Sequence, residues 1–461
     1  MSDIFYPYPS NLDFSKHKLK DPKVTYYGLP EEVKYCKSCV ISNQRPSSDF
    51  EHKNDGKGKK KTINFNQDNI CDACKSFQIK SKINWKDRER QLFEICNKYR
   101  RNDGRYDCLV PGSGGKDSFM QAHLLKYKYG MHPLTCTWAP HIYTDWGWKN
   151  HQAWVQAGFD NILFTPNGKV HRLITRLAVE NLFHPFQPFI LGQKNLAPKI
   201  AAQYEIPLIF YGESESDYGN AIDESKTALR DWAYFTNSDS SEIYIGGASL
   251  LELKELGLQP VDWEPYLPIN PEILFEKKIQ VHYLGFYEKW HPQGAYYYAV
   301  ENGNFRSAPE RTAGTFSTYN SIDDRIDDFH YHTTWIKFGI GRATYDASQE
   351  VRNGDLTRQE AVALIHKYDG EFPSRWADEI FDYLSIDSKD FPIASKAFEK
   401  NIFDRTYYDD LSNKFRSPHL WYLNESNEWI LRFRVKDLNK KEKNNTALNW
   451  QGNIKKDFDL K

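Results

Sequence analysis

Nowhere in these 461 residues do eighteen apolar residues follow one another, so no segment qualifies as a membrane-crossing helix. The start, Met1-Ser2-Asp3-Ile4-Phe5, lacks the basic and apolar regions of a secretory signal, and a soluble, cytoplasmic protein is expected. An excess of either charge is also missing. With 61 basic against 62 acidic residues, no global field recruits nucleic acid or an anionic membrane, and neither is expected as a partner. Cysteines are few: of the seven, four fall in two close pairs, which in a reducing compartment points to metal ligation rather than disulfides. No internal repeat appears. Aromatic residues are plentiful at 15%, with 13 Trp and 29 Tyr, a content that suits sugar or nucleotide recognition as well as core packing.

The most informative stretch is Ser113-Gly114-Gly115-Lys116-Asp117-Ser118. It follows the apolar run Tyr106 to Pro111, which reads as a short buried strand, and precedes the helical spacing of Phe119 to Tyr129. A strand, a glycine turn and a helix start aim several backbone N–H groups and a positive dipole end at one point, which suits a phosphate. Two glycines let the backbone approach the anion, and Lys116 adds a mobile charge. A plain helix-capping turn, with Asp117 as a first-turn acid, is the competing explanation. This is not a Walker loop, because the lysine follows the glycines and an aspartate follows the lysine. It resembles the pyrophosphate loop of the ATP pyrophosphatase (PP-loop) superfamily, whose members split ATP to AMP and pyrophosphate while adenylating an oxygen.

From Tyr106 onward strands and helices alternate. Strands are expected at 132–139, 161–165, 207–211 and 281–290, and helices at 150–157, 170–183 and 195–204. The alternation predicts an α/β fold with a doubly wound parallel sheet, whose ligands sit beyond the carboxyl ends of the strands. The divisions expected are an arm over 1–32, a cysteine-knuckle region over 33–84, a nucleotide domain over 85–290, a mainly helical substrate-binding part over 291–400 and an extension over 401–461. Helices are expected over 85–99, 357–366 (capped by Thr357) and 375–384, and the end from Lys436 is expected to be loose.

Cys36-x-x-Cys39 and Cys71-x-x-Cys74 can supply four thiolates to one tetrahedral ion, matching structural Zn²⁺; an iron–sulfur centre uses the same ligands. Cys96, Cys108 and Cys136 read as buried and structural. After the strand ending at Tyr211 comes Gly212-Glu213-Ser214-Glu215-Ser216-Asp217-Tyr218-Gly219. Its acids and hydroxyls can hold Mg²⁺ near the phosphate loop, a solvated turn being the plainer explanation. Gln293 to Asp328, dense in Tyr, Arg, Asn and Asp, reads as a binding loop or as a surface ion-pair network.

Together these segments, with Gly294 to Val300, Asn320 to Asp328 and Phe338 to Asp346, resemble the N-acetyl sugar amidotransferases of bacterial surface-glycan biosynthesis. Those proteins make acetamidino sugars for lipopolysaccharide O-antigens or for pseudaminic and legionaminic acids. The resemblance spans about residues 33 to 385. It implies ATP, Mg²⁺ and structural Zn²⁺, and an N-acetylated sugar or nucleotide sugar as substrate. By the resemblance Ser113, Gly114, Gly115 and Ser118 hold pyrophosphate with Lys116 as counter-charge. Asp117, with Glu213 or Asp217, holds Mg²⁺; Trp138 and Ala139, with Gly212, face the nucleotide; and Arg306, Arg311, Tyr319 and Asp324 face the sugar. The chain starts without an exposed cysteine and has no Gly-x-Cys-x-Gly elbow, so a separate glutaminase, with a barrel-type ammonia-channel partner, is expected to supply ammonia.

Two rival readings compete. A tRNA-modifying thiolase shares such loops and knuckles, but it calls for a basic face and a sulfur-carrying cysteine near the site. A zinc-knuckle adaptor with a degenerate nucleotide fold would bind ATP without turning it over.

Overall fold

The computed structural model describes residues 13–48, 51–53, 59–212, 227–236, 243–391, 398 and 400–435. Five parallel strands form its centre: β1 (Cys108–Pro111), β2 (Pro133–Trp138), β3 (Asp160–Phe164), β4 (Leu208–Tyr211) and β5 (Gln280–Tyr283). Their order is β3-β2-β1-β4-β5, with Cys108 opposite both Pro133 and Leu208. The chain therefore moves outward from β1 in one direction, then returns to lay β4 on its other side.

Helices flank the sheet on both faces. The first helix, α1 (Asp72–Lys80), packs within the knuckle region with Cys36, Cys39 and Ile63; the helices flanking the sheet include α2 (Trp85–Tyr99), α3 (Lys116–His123), α4 (Asp145–Gln156), α5 (Gly168–Leu182) and α6 (Gln187–Tyr204). Side chains alternate across the strands, and the packing follows that period. Leu109, Leu134, Ile209 and Val281 face Leu173, Leu177, Ala197 and Ile200 of α5 and α6. Cys108, Val110, Leu208 and Phe210 face the other way, onto Leu92, Phe119, Leu125 and Trp154 of the α2–α4 layer. Strand β2 is buried at all six positions. Its buried threonines stay hydrogen-bonded: Thr135 donates to the Asp160 carbonyl at 2.7 Å, and the Asn161 amide donates to both Thr135 and Thr137.

Several local expectations change. The strand expected over 281–290 ends at Tyr283, where a 3-10 turn, Leu284–Phe286, takes over, and α6, expected from 195, begins at Gln187. Helix α4 begins at Asp145, not Asn150, because the Thr144 hydroxyl caps it by accepting from Gly147 N at 2.9 Å. The stretch after Gln293, expected as a loop, opens with a helix, α7 (Pro292–Gly303), capped by His291. Two of its three tyrosines serve packing: Tyr298 bonds His123 of α3 at 2.7 Å, and Tyr296 stacks on Tyr319 at 4.4 Å, while Tyr297 is exposed.

The remaining helices are α8 (Ile326–Phe338), α9 (Arg342–Asn353), α10 (Arg358–Tyr368), α11 (Ala377–Leu384) and α12 (Arg405–Lys414). Thr357 caps α10 in a capping box with Glu360. The two ends of the described chain meet: Leu29 and Val33 share one core with Phe338, Ile340, Leu420, Trp421 and Leu431. Arg432 donates to the His17 carbonyl at 3.0 Å. No helix among the described residues is long and apolar enough to cross a membrane. Residues from 436 onward lie outside the described residues.

Candidate functional site

Strands β2 and β4 lie on opposite sides of β1, so the connections leaving β1 and β4 diverge and open a crevice at their carboxyl ends. A cavity of about 730 Å³ lies there. Its floor is the turn from Pro111 to Gly115 and the first turn of α3, with Tyr211 and Gly212 at the end of β4 beside it. Gly114 has φ +90°, and a Cβ there would lie 2.8 Å from the His151 Cα. The turn is thus pressed against the backbone of α4 and only glycine fits. Gly115 caps α3 without a side-chain bond, leaving the helix N-terminus to face the cavity.

Ser113, Gly115, Lys116, Asp117, Ser118, Gly212 and Tyr319 all line this cavity. Lys116 is 6% exposed, bonds Asp117 at 2.5 Å, and lies 5.8 Å from the Trp290 ring and 6.0 Å from the Tyr319 ring. Trp290 Nε1 also donates to Asp117 at 2.8 Å. Glu213 and Asp217 lie outside the described residues.

Several expected residues are engaged elsewhere. Trp138 and Ala139 are buried and outside the cavity lining; Trp138 packs on Phe164 and Tyr266 and Ala139 N donates to Phe164 O. Arg306 is exposed and away from the cavity, its backbone pinned by the Asn150 amide. Arg311 makes a two-pronged pair with Glu371, 2.5 Å on each prong, which secures the loop before α8. Asp324 is buried and accepts from the backbone N–H of His141, Ile142 and Ile326, stitching its loop to the end of β2.

The sequence reading missed the opposite walls. Asp323 accepts from the Ser113 hydroxyl at 2.5 Å, bringing the loop before α8 onto the glycine turn. Burial raises its pKa to about 6; the Ser113 bond opposes the rise and the neighbouring Asp324 adds to it. From α8 and α9 come His330, Lys337, Arg342 and Asp346, and from the knuckle region come Arg45, Glu51 and Lys60. Glu51 binds Lys337 at 2.6 Å and Lys60 at 3.0 Å. Although burial favours the neutral acid, these two lysines hold the Glu51 carboxyl well below its usual range. Arg342 pairs with Asp346 at 2.9 Å. His330 stacks on His184 at 4.8 Å, and burial, helped by Lys337 and Arg342, drives its pKa down to about 3, so the ring is neutral at pH 7. Sequence signals existed for Asp323, inside the Tyr- and Asp-dense stretch 293–328, and for Arg342 and Asp346, inside the resembling segment Phe338 to Asp346; His330, Lys337 and the residues of 45–60 carried none.

The four knuckle cysteines come together. Their sulfurs all lie within 4.8 Å of one another, with Cys36–Cys74 at 3.8 Å and Cys39–Cys71 at 3.7 Å. Four sulfurs about 2.3 Å from one ion form a tetrahedron with edges of ~3.8 Å, so the donor set fits a single Zn²⁺. The spacing leaves no room for a cluster of several irons. Cys71 N donates to Cys36 Sγ at 3.3 Å and Cys74 N to Cys71 Sγ at 3.4 Å, the outer bonds that orient thiolate ligands. Arg358 reaches back from α10 to the carbonyls of Cys39 and Cys36 at 3.0 and 3.3 Å. Cys96, Cys108 and Cys136 are buried, and no cysteine lines the cavity.

Fold and site thus define an α/β protein with a central five-stranded parallel sheet, a glycine turn at its switch point and a buried four-cysteine cluster. Residues 313–436 match the family model of the LPS biosynthesis protein WbpG-like, C-terminal domain, which links that segment to lipopolysaccharide biosynthesis. The matched residues supply the α8 and α9 wall of the cavity. The chain is also similar to uncharacterized protein MJ1599 of Methanocaldococcus jannaschii, 35% identical over 75 residues. That stretch is 16% of this chain and spans 27% of the archaeal protein's length.

Proposed function

We propose that this chain is an ATP-dependent amidotransferase that converts the acetamido group of an N-acetylated sugar to an acetamidino group during glycan biosynthesis. The observation carrying this reading is one cavity with two kinds of wall. A glycine turn and helix N-terminus suited to phosphate face a wall built from the segment that matches a lipopolysaccharide-biosynthesis family.

An acetamide carbon is a poor electrophile and its oxygen a poor leaving group. In the proposed reaction that oxygen attacks the α-phosphorus of ATP, pyrophosphate departs, and an O-adenylyl imidate forms. Ammonia adds to the imidate carbon, a proton leaves the new nitrogen, and AMP departs. Most of this work is positioning and charge neutralisation. The α3 N-terminus, Ser113, Ser118 and Lys116 hold the phosphates. Asp117 is the described carboxylate best placed for Mg²⁺, which supplies further charge neutralisation. The cysteine cluster holds Zn²⁺ in a structural role, and a separate glutaminase with a barrel-type partner delivers ammonia. The absence of a cysteine from the cavity wall weighs against a sulfur-transferring tRNA enzyme.

The test supplies the purified chain with Mg-ATP, ammonium chloride and a panel of N-acetylated sugars and nucleotide sugars. AMP, pyrophosphate and a product whose mass reflects oxygen exchanged for NH are expected, all lost in Lys116→Ala. Turnover that ignores every sugar but responds to tRNA refutes the proposal.

A further inference from the structure

Four carboxylates line the cavity among the described residues: Glu51, Asp117, Asp323 and Asp346. Three are bonded to cations. Glu51 binds Lys337 and Lys60, Asp117 binds Lys116, and Asp346 binds Arg342. Asp323 differs: its hydrogen-bond partner is the Ser113 hydroxyl. The lining histidines, His184 and His330, have pKa values driven far down by burial and are poor bases. Resting on the amidotransferase reading above, we infer that Asp323 is the base that removes a proton from the incoming nitrogen when ammonia adds to the activated acetamido carbon.

The placement fits the step. The imidate carbon is joined through one oxygen to the α-phosphorus, so it lies beside whatever holds the phosphates. Asp323 is bonded to the first residue of the phosphate turn. It is also fixed there by its own backbone. Thr144 N donates to the Asp323 carbonyl at 3.0 Å, and a Cβ on Gly147 would lie 2.5 Å from that oxygen, so α4 is pressed onto this peptide. Asp324, stitched to the end of β2, anchors the next residue.

In the step, the ammonia lone pair forms a C–N bond to the N-protonated imidate. One N–H proton passes to the Asp323 carboxylate. The C–O bond then breaks, AMP leaves with the electron pair, and an amidinium remains; Asp323 returns its proton to solvent as products leave. A base with a pKa near 6 is ionised at neutral pH yet stronger than an ordinary aspartate, which suits proton transfer. The groups facing it are Ser113 and Lys116 from the phosphate turn, Tyr143 from the segment before α4, and Asp324 and Asp327 from its own segment.

The experiment compares the full-length chain with Asp323→Asn and Asp323→Glu, using the N-acetylated sugar that supports turnover. It reads sugar-dependent exchange of labelled pyrophosphate into ATP and, separately, amidine formation from ammonium chloride with rates referred to free NH₃. Asp323→Asn is expected to keep the exchange while amidine formation falls about 10²- to 10⁴-fold. The wild-type acid limb near pH 6 is expected to vanish in Asp323→Asn, and Asp323→Glu to restore part of the rate with its acid limb. Equal loss of exchange and amidine formation, or an acid limb that survives in Asp323→Asn, overturns the assignment. A wild-type chain with no sugar-dependent exchange overturns the amidotransferase reading itself, and the assignment falls with it.

Discussion

Gly114→Ala and Gly115→Ala place the same methyl group one residue apart in the phosphate turn, with opposite expected outcomes. At Gly114 the backbone is left-handed, φ +90°, which costs a residue with a Cβ about 1–2 kcal/mol. The new Cβ would also sit 2.8 Å from His151 Cα and 3.0 Å from Asn150 O. Both are backbone atoms of a helix and cannot swing aside, so overpacking adds about 1–3 kcal/mol. If the turn absorbs the whole strain of about 2–5 kcal/mol, ATP weakens roughly 30-fold to a few thousand-fold, at tenfold per 1.4 kcal/mol. At Gly115 the backbone is ordinary, φ −64°, and the nearest atom to a new Cβ is Ser113 Oγ at 3.4 Å. That change should leave the turn in place and cost ATP binding far less. Calorimetric titration with Mg-ATP, beside thermal melts to confirm folding, reads both. Gly114→Ala that binds ATP like wild type, or that is no worse than Gly115→Ala, refutes the claim that this turn is held against α4 to receive a phosphate.

Metal analysis of the purified chain should find zinc, removed by a strong chelator or by Cys39→Ser; because Arg45 and Ser47 follow the knuckle into the cavity wall, turnover should fall with it, and full activity without metal contradicts the structural role. Arg176 is fully buried, bonds Glu180 and the carbonyls of Leu384 and Lys400, and joins α5 to the C-terminal helices. Arg176→Met takes the guanidinium away from buried Glu180 and should cost about 3–5 kcal/mol in urea unfolding, against under 1 kcal/mol if the pair is dispensable. His332 is held neutral, its pKa lowered to about 3 by burial and by Arg416 and Arg405. Only the unfolded chain protonates it as pH falls below its ordinary value near 6.5, so its stability contribution is lost in acid. Between pH 6.5 and 5 the wild type should lose about 1.6 kcal/mol relative to His332→Phe, and parallel pH–stability curves would show the ring is not held neutral.

The sequence by itself determined what local pattern and spacing can specify. Short apolar runs such as Cys108 to Pro111 became central strands because a strand covered on both faces needs no polar side. The glycine turn and the helix after it are set by neighbouring residues, and Gly115 and Lys116 lie where that pattern put them. The cysteine pairs announced their cluster because ligand chemistry and spacing carry the signal, whatever the loop between them. Tertiary structure decided what surrounds the turn. Asp323 and Asp324 are adjacent in sequence and chemically alike, yet one lines the cavity while the other ties down backbone at the end of β2. Arg311 and Lys116 are both cations in polar stretches, yet Arg311 is spent on Glu371. Glu51 meets Lys337 across 286 positions of sequence. Such pairings depend on which elements pack side by side, and packing follows from burying the whole apolar surface at once, a property no local window of sequence contains.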